Sequence, residues 1–347
     1  MKVSLCVVAY NEEKLLPRLL EDFKAQTYPR GSIEVVLVDG RSTDGTRRVM
    51  EAFACEDLGF LAVKVVDNPR RTQPSGWNVA LKAATGEAII RLDAHARVPA
   101  DFVALRIADL ESGEDVSGGV CLYLTEDDSS WGRTLLATEN SLFGSSVAKH
   151  RRFEGKTYVK TAPHSAYRRE VFAKVGGFNE NLLRSEDNEL HSRVRRAGYR
   201  ISFDSSRVSY QYARPRLRKM IKQKYGNGKW IGLTLGVCPD AASPFYFVPF
   251  CFVAAIVLTT AACCFGFWQG AAALWSLYGL FAVVSTVRLT ATDGFEPLKL
   301  LTPALFLALH VAYGVGTCVG LAAMPFLRKR LATHPEIEAV KLAMNAK

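Results

Sequence analysis

At 347 residues, 49% hydrophobic and 22% charged, the chain is too long for a single small module and too unevenly patterned for a purely soluble protein. Its formal charge of +10 does not read as a nucleic-acid surface. Between Ser205 and Pro239 no acidic residue faces Arg207, Arg214, Arg216, Arg218, Lys219, Lys222, Lys224 and Lys229, and no aromatic platform or binding motif accompanies them. A basic stretch directly ahead of an apolar run suits anionic lipid headgroups, at about 1 kcal/mol per cation near the surface.

The first hundred residues alternate strand-like and helix-like segments. Val3–Ala9 is a buried-strand run that ends in Asn11-Glu12-Glu13; it is too short for a signal peptide, so the first domain is expected in the cytoplasm. Glu12–Thr27 has helical periodicity, Ile33–Val38 is a second strand ending at Asp39, and Ser42–Ala54 is a second helix with Thr43 or Asp44 placed to cap it. Leu61–Val66, Ser75–Thr85 and Ala88–Leu92 continue as strand, helix and strand, the last ending at Asp93. Such alternation predicts a mostly parallel sheet with helices on both faces and ligands at the carboxyl ends of the strands. Asn11, Asp39 and Asp93 all fall there.

Beyond Asp101 the pattern is mixed: a Gly-rich strand near Val116–Leu124, then helices near Trp131–Ser141, Arg168–Val175 and Glu186–Ala197. Arg214–Trp230 reads as a basic amphipathic segment on the membrane surface. Pro244–Trp268, Ala271–Val287 and Leu300–Leu327 carry no charge, and each is near or above the roughly 20 residues that cross a bilayer. Three crossings would put Arg328-Lys329-Arg330 opposite the first domain, against the positive-inside rule. Two options stay open: one segment is re-entrant, or the tail violates the rule. The expected domains are 1–213 (catalytic, cytosolic), 214–240 (interfacial), 244–327 (transmembrane) and 328–347 (tail). The eight cysteines show no metal-type spacing, and half lie in or beside the apolar segments, as expected in a reducing compartment.

The acidic residues carry the chemistry. A carboxylate at Asp39 can accept a hydrogen bond from a base, although a turn role fits equally; Asp44 reads as a cap. In Asp93-Ala94-His95 the alternation sets the two side chains on one side, ~6–7 Å apart at Cα, able to bind one metal, with imidazole favouring Mn²⁺ over Mg²⁺, although a plain surface histidine is the simpler reading of this motif alone. Glu186-Asp187-Asn188-Glu189 opens a helix, where acidic residues are favoured anyway by ~0.3–1 kcal/mol; the functional reading makes one of them a general base. His150, His191, His310 and His334 are isolated, and Arg288 snorkels to the interface.

Asn11-Glu12-Glu13, Val38-Asp39-Gly40-Arg41-Ser42-Thr43-Asp44-Gly45-Thr46, Asn78, Asp93-x-His95 and Glu186-Asp187-x-Glu189-Leu190 together, in order and interval, resemble the family 2 glycosyltransferases. Asn68-Pro69-Arg70-Arg71-x-Gln73, Arg91-Leu92-Asp93-Ala94-His95-Ala96 and Gly176-Gly177-Phe178-Asn179-Glu180 are similar to the succinoglycan-type exopolysaccharide glucosyltransferases, which also end in membrane segments. The resemblance implies an α/β GT-A fold, Rossmann-like with a mixed, mostly parallel sheet, followed by C-terminal transmembrane helices at the inner cell membrane. It implies an inverting, metal-dependent hexosyltransferase that moves a sugar, glucose by the subgroup, from a UDP-sugar to a lipid-linked or membrane-proximal saccharide.

Residue by residue, Asp39 would bind uracil, with Ala9, Glu12, Asn78 and Asp93 around the nucleotide-sugar. Asp93 and His95 would hold Mn²⁺ or Mg²⁺ and the diphosphate. Asp187 would be the base, oriented by Glu186. His164, Gln223 and Trp230 would line the acceptor side. Two departures stand out: Gly40 replaces the second Asp of most relatives, and Gln223–Trp230 breaks the Gln-x-x-Arg-Trp spacing of processive synthases, which implies addition of one sugar. The alternatives are transfer to a polyprenyl phosphate and, in another class, a non-catalytic nucleotide-binding scaffold. Membrane lipids are the other expected partner; nucleic acid is not.

Overall fold

The computed structural model describes residues 1–144, 154–213 and 216–346, so His150 and Arg214 lie outside the described residues. In chain order its main elements are β1 (Val3–Ala9), α1 (Leu16–Lys24), β2 (Ile33–Asp39), α2 (Thr46–Cys55), β3 (Ala62–Asp67), α3 (Gln73–Ala83), β4 (Ala88–Asp93), β5 (Ala96–Arg97), α4 (Phe102–Glu111), β6 (Val116–Leu124), α5 (Ser130–Asn140), β7 (Lys156–Tyr158), β8 (Ala166–Arg168), α6 (Arg169–Val175), α7 (Glu186–Arg196), β9 (Ile201–Tyr212), α8 (Leu217–Thr234), α9 (Val248–Cys263), α10 (Gln269–Asp293), α11 (Thr302–Leu331) and α12 (Glu336–Asn345). They form two compact units. The first runs to Leu122, resumes before β7, ends at Gln211 and takes in the chain from Arg330; the second takes the chain from Tyr123 through α5 and from Tyr212 to Lys329.

In the first unit the strand order is β3-β2-β1-β4-β8-β6-β9-β5, with β7 on β9. β3, β2, β1 and β4 are parallel, as the alternation predicts. From β8 onward the pairings of β8 with β4 and β6 and of β9 with β5 and β7 are antiparallel, so the sheet is mixed, as the resemblance implies. Period-two alternation sends Val3, Leu5 and Val7 of β1 to a core with Leu19, Phe23 and Met50. Cys6 points the other way, to a core of Trp77, Leu81, Phe172, Phe178, Val340 and Met344.

The second of those cores contains a surprise. Residues after 328, expected as a plain tail, form α12, which packs on α3 and α6. Glu336 pairs with Lys82 and Arg70, Gly177 donates its N–H to the Ile337 carbonyl at 3.1 Å, and Asn345 Nδ2 donates to the Ala173 carbonyl at 2.9 Å. The sequence pattern missed it because its apolar positions, Ile337, Val340 and Met344, are spread over only ten residues.

In the second unit Pro244–Cys263, which is α9 with the turn ahead of it, α10 and α11 are long and apolar enough to cross a membrane. The buried positions Met220, Lys224, Gly228 and Gly232 of α8 recur every four residues, which is one helical face. That face meets α11 instead of lipid: a Cβ added at Gly228 would strike the Tyr313 carbonyl, and one at Gly232 would lie 2.8 Å from the Thr317 oxygen.

Met344→Ala should cost about 2–5 kcal/mol, read as a lowered thermal midpoint of the detergent-purified chain. An unchanged midpoint would show that α12 is not part of the first unit's core.

Candidate active site

The parallel register sets Ala9 beside Asp39, Asp39 beside Asp67, and Val8 beside Asp93, so one sheet edge carries three carboxylates. Among the described residues five non-glycines hold left-handed backbone: Asn11, Arg41, Arg71, His164 and Ser185. The first three follow β1, β2 and β3; the other two precede β8 and α7. Such conformations cost about 1–3 kcal/mol each and cluster where a fold holds groups for function.

The loops after β1 and β2 are stitched by side chains. Asn11 Oδ1 accepts the Thr43 N–H at 2.8 Å, Glu13 Oε2 the Gly45 N–H at 2.6 Å, and Asp39 Oδ1 the Ser42 N–H at 3.2 Å. These captured amides explain why the helix expected from Ser42 begins only at Thr46. Asp44 accepts from Thr46 N and Oγ1 at 2.9 and 2.6 Å, close to the capping role foreseen, although Gly45 is the cap residue. A Cβ at Gly40 would press on Ala9 O and Tyr10 Cβ at 3.2 and 3.3 Å, so a side chain there would require these neighbours to shift.

Asp93 and His95 meet at Gln211 of β9, whose Nε2 lies 2.9 Å from Asp93 Oδ2 and 2.8 Å from His95 Nε2. Glu12 Oε1 is 3.2 Å from His95 Nδ1, and Gln73 Nε2 donates to Asp93 Oδ1 at 3.3 Å. His164 is buried with Nε2 3.7 Å from Asp93 and Nδ1 3.0 Å from Ser209 Oγ. Burial works against ionised Asp93, but His164, His95 and Arg91 overcome it and hold the carboxyl well below the usual range. Burial likewise opposes charge on His164, yet Cys121 and Asp93 lift it to about 9. His164, expected on the acceptor side, thus stands beside Asp93.

At the start of α7, Glu186 is buried while the Asp187 side chain stays 34% exposed. Arg91 of β4 reaches between them and the sheet: its guanidinium lies 4.9 Å from the Trp77 ring and 5.4 Å from that of Phe178, with Nη2 3.8 Å from Asp187 Oδ2. Burial first, and the Asp187 charge second, raise Glu186 to about 8 against the pull of Arg91. Burial drives His191 down to about 4; its ring accepts or donates at 2.7 Å to Tyr167 Oη and 2.8 Å to Thr161 Oγ1. The adjacent pair is therefore split at neutral pH into a protonated buried acid and a partly solvated carboxyl group.

Asn78, expected near the nucleotide, is buried, donating to the Phe178 carbonyl and Glu180 Oε1 at 2.9 Å and accepting the Phe178 N–H at 2.7 Å, so its amide braces the 176–180 loop. Gln223 and Trp230 lie on α8 in the second unit. Sequence reasoning missed Gln211 and the bridging position of Arg91. A charged residue inside the apolar run Ile89–Leu92 was the available signal for Arg91; Gln211 required β9. Among the described residues no three His, Cys, Asp or Glu side chains converge as a closed metal site.

This sheet, parallel on one side and antiparallel on the other with its polar groups at the junction, is the GT-A glycosyltransferase fold. A mannosyltransferase from Pyrobaculum calidifontis, solved with GDP-Man and Mn²⁺, superposes with a TM-score of 0.56 at 21% identity over 90% of this chain and 86% of that one. The chain belongs to glycosyl transferase family 2, whose model matches residues 4–176. It is 33% identical over 230 residues to the succinoglycan biosynthesis protein ExoA of Rhizobium meliloti, covering 65% of this chain and 68% of that protein. Over 92% of this chain and 97% of its counterpart it is 25% identical to a Methanococcus voltae dolichyl N-acetyl-alpha-D-glucosaminyl phosphate 3-beta-D-2,3-diacetamido-2,3-dideoxy-beta-D-glucuronosyltransferase.

A glutamic acid held up to about 8 keeps a proton that the unfolded chain loses in the ordinary carboxylate range. Stability should therefore fall as pH rises from that range to about 8, and level off above it. Glu186→Gln should flatten this slope in thermal midpoints taken across the window; a slope equal to the wild type's would mean that Glu186 is not the group responsible.

Proposed function

We propose that the protein is an inverting hexosyltransferase that moves one sugar, glucose by its likeness to the succinoglycan protein, from a UDP-sugar to a lipid-linked or membrane-proximal saccharide. The observation that carries this reading is Arg91, which joins the Asp93 group on the sheet edge to Asp187 at the start of α7. Donor and acceptor chemistry would then meet across one buried cation. A lipid-linked acceptor is supported by the dolichyl-phosphate substrate in the archaeal relative's name. The reading places residues 1–213 in the cytoplasm, at the inner membrane, where nucleotide sugars are made.

Asp93 and His95 offer a carboxylate and an imidazole gathered by one glutamine, a donor set suited to Mn²⁺ and tolerable for Mg²⁺. With so few protein ligands, a cation there would complete its shell from diphosphate oxygens and water. Such a cation would neutralise charge on the leaving diphosphate. Asp39, at the end of β2 and 4% exposed, would accept from the base. Asp187 would take the proton of the attacking hydroxyl while Arg91 holds its carboxylate in place. Glu186, being neutral, would add no second negative charge beside it. Displacement of UDP from the opposite face in one step inverts the anomeric carbon, so an α-linked donor gives a β-linked product.

Asp187→Asn should lower transfer by about 10²–10⁴-fold while calorimetric donor binding stays near wild type; full activity would refute the base assignment. Retained transfer to a polyprenyl phosphate, an acceptor already anionic, would favour that substrate instead. His95→Ala should weaken donor binding in Mn²⁺ but not in chelator, which the same calorimetry reads; tight UDP binding with no sugar consumed from a donor panel would revive the scaffold reading.

A further inference from the structure

Three helices have the length and composition of membrane spans, and three crossings would separate the chain's two ends. The first unit contradicts that separation. The Leu331 carbonyl accepts from Asn179 Nδ2 at 2.8 Å, and α12 completes the core around Phe172 and Phe178. The end of α11 is therefore on the same side of any bilayer as the catalytic sheet, and the number of crossings is even.

The second unit shows which helix is not a span. The turn between α10 and α11 is tied to α5, where Glu296 accepts from Arg133 Nε and Ser130 Oγ, both at 2.6 Å. α5 begins six residues after the end of β6, so this turn is also on the sheet's side. Both ends of α11 thus share one side. Its middle runs alongside α8 in the same direction: a Cβ at Gly316 would strike the Tyr225 carbonyl, one at Gly320 the Lys229 carbonyl, and one at Gly236 the Met324 side chain. α8 carries Arg218, Lys219, Lys222, Lys224 and Lys229 and cannot cross hydrocarbon. A helix in backbone contact with it along this length lies at the same depth. Burial agrees: 39% of the most apolar stretch of α11 is buried, against none of that in α9 and 11% of that in α10.

We propose that α9 and α10 alone cross the bilayer, as a hairpin, and that α8 and α11 lie side by side at the headgroup surface, with the α8 cations other than Lys224, which pairs with Glu139 at 2.7 Å, toward anionic lipid. The hairpin has the required dimensions: Pro244–Cys263 and α10 are about 30 and 37 Å long at helical rise. No charged residue occurs from Ala241 to Val287, and the turn itself, with Phe265, Phe267 and Trp268 exposed, has the aromatic character of an interface. With two crossings Arg328-Lys329-Arg330 join the α8 cations on one side, and the charge conflict of the three-span count disappears. α11 has a span's composition because its apolar residues Leu305 and Leu309 pack on Leu135 and Met220, a protein interior and not lipid.

The test uses the full chain in right-side-out and inside-out vesicles, with a membrane-impermeant maleimide and mass spectrometry to locate the label. Exposed native Cys55 marks the side of the catalytic unit. Gln269→Cys, Phe295→Cys and Ala346→Cys report the hairpin turn, the α10–α11 turn and the C-terminal end; detergent-solubilised protein confirms that each thiol reacts. Positions 295 and 346 should label in the same vesicles as Cys55, and position 269 only in the opposite ones. Label at 346 or 295 opposite to Cys55 would overturn the proposal, as would failure of position 269 to label opposite to Cys55. A tobacco-etch-virus protease site inserted after Gly266 gives the same readout by cleavage, should a cysteine variant fail to accumulate.

Discussion

A guanidinium buried in the middle of a β-sheet sets the terms for everything around it. Arg91 occupies a strand whose neighbours Ile90 and Leu92 are fully buried, and an ionised group there needs both anions and polarisable faces. The fold supplies them: Trp77 from α3 and Phe178 from the loop before α7 offer their rings, and Asp187 offers charge. Each comes from a different element, so the cation fixes the mutual placement of β4, α3 and α7. Asn78 reinforces the same junction from behind, pinning Phe178 by its backbone. The acidic start of α7 is thereby held against the strand that ends in Asp93.

What the sequence makes legible follows from this arrangement. Strand-end carboxylates stand out because a parallel strand ends abruptly in sequence, and Asp39 and Asp93 each close an apolar run. Glu186-Asp187 is visible because two acids precede a helical pattern. Of the second half of the sheet only the Gly-rich β6 is visible. Ile201–Tyr212 alternates poorly, with Asp204, Ser205, Ser206 and Arg207 in its middle, because that strand is only partly covered. Losing it loses Gln211, the residue on which Asp93 and His95 converge. Asn78 shows another limit: its place in a motif is visible in the sequence, whereas the hydrogen bonds of its amide to the Phe178 backbone are not.

The apolar C-terminal region illustrates a limit of composition. A helix rich in Leu, Ala, Gly and Val has the same hydropathy whether lipid or protein covers it, and α11 differs from α9 and α10 only in what it touches. Gly228 with Gly232, and Gly316 with Gly320, sit four residues apart on each of two helices, and the backbones approach through them. One helix of that pair is densely basic, which no lipid-facing partner of a true span would be. Spacing of small residues was in the sequence; what it paired with was not.

Two carboxyl groups of the first unit, buried Glu186 and partly exposed Asp93, are shifted in opposite directions, and their surroundings explain why. Asp93 has histidine on both sides and Arg91 on its own strand, so cation charge outweighs the cost of burial. Glu186 is the more deeply buried, with one shared arginine and an adjacent aspartate, so the balance tips toward the neutral acid. Arg91 cannot fully compensate both members of the 186–187 pair, and the member left partly in water is Asp187. A carboxyl group that is solvated, oriented by a fixed cation and relieved of a second neighbouring charge can accept a proton from an incoming hydroxyl. A buried acid that is already protonated cannot. In the proposed reaction the division of roles between the two residues is thus set by burial before any substrate arrives.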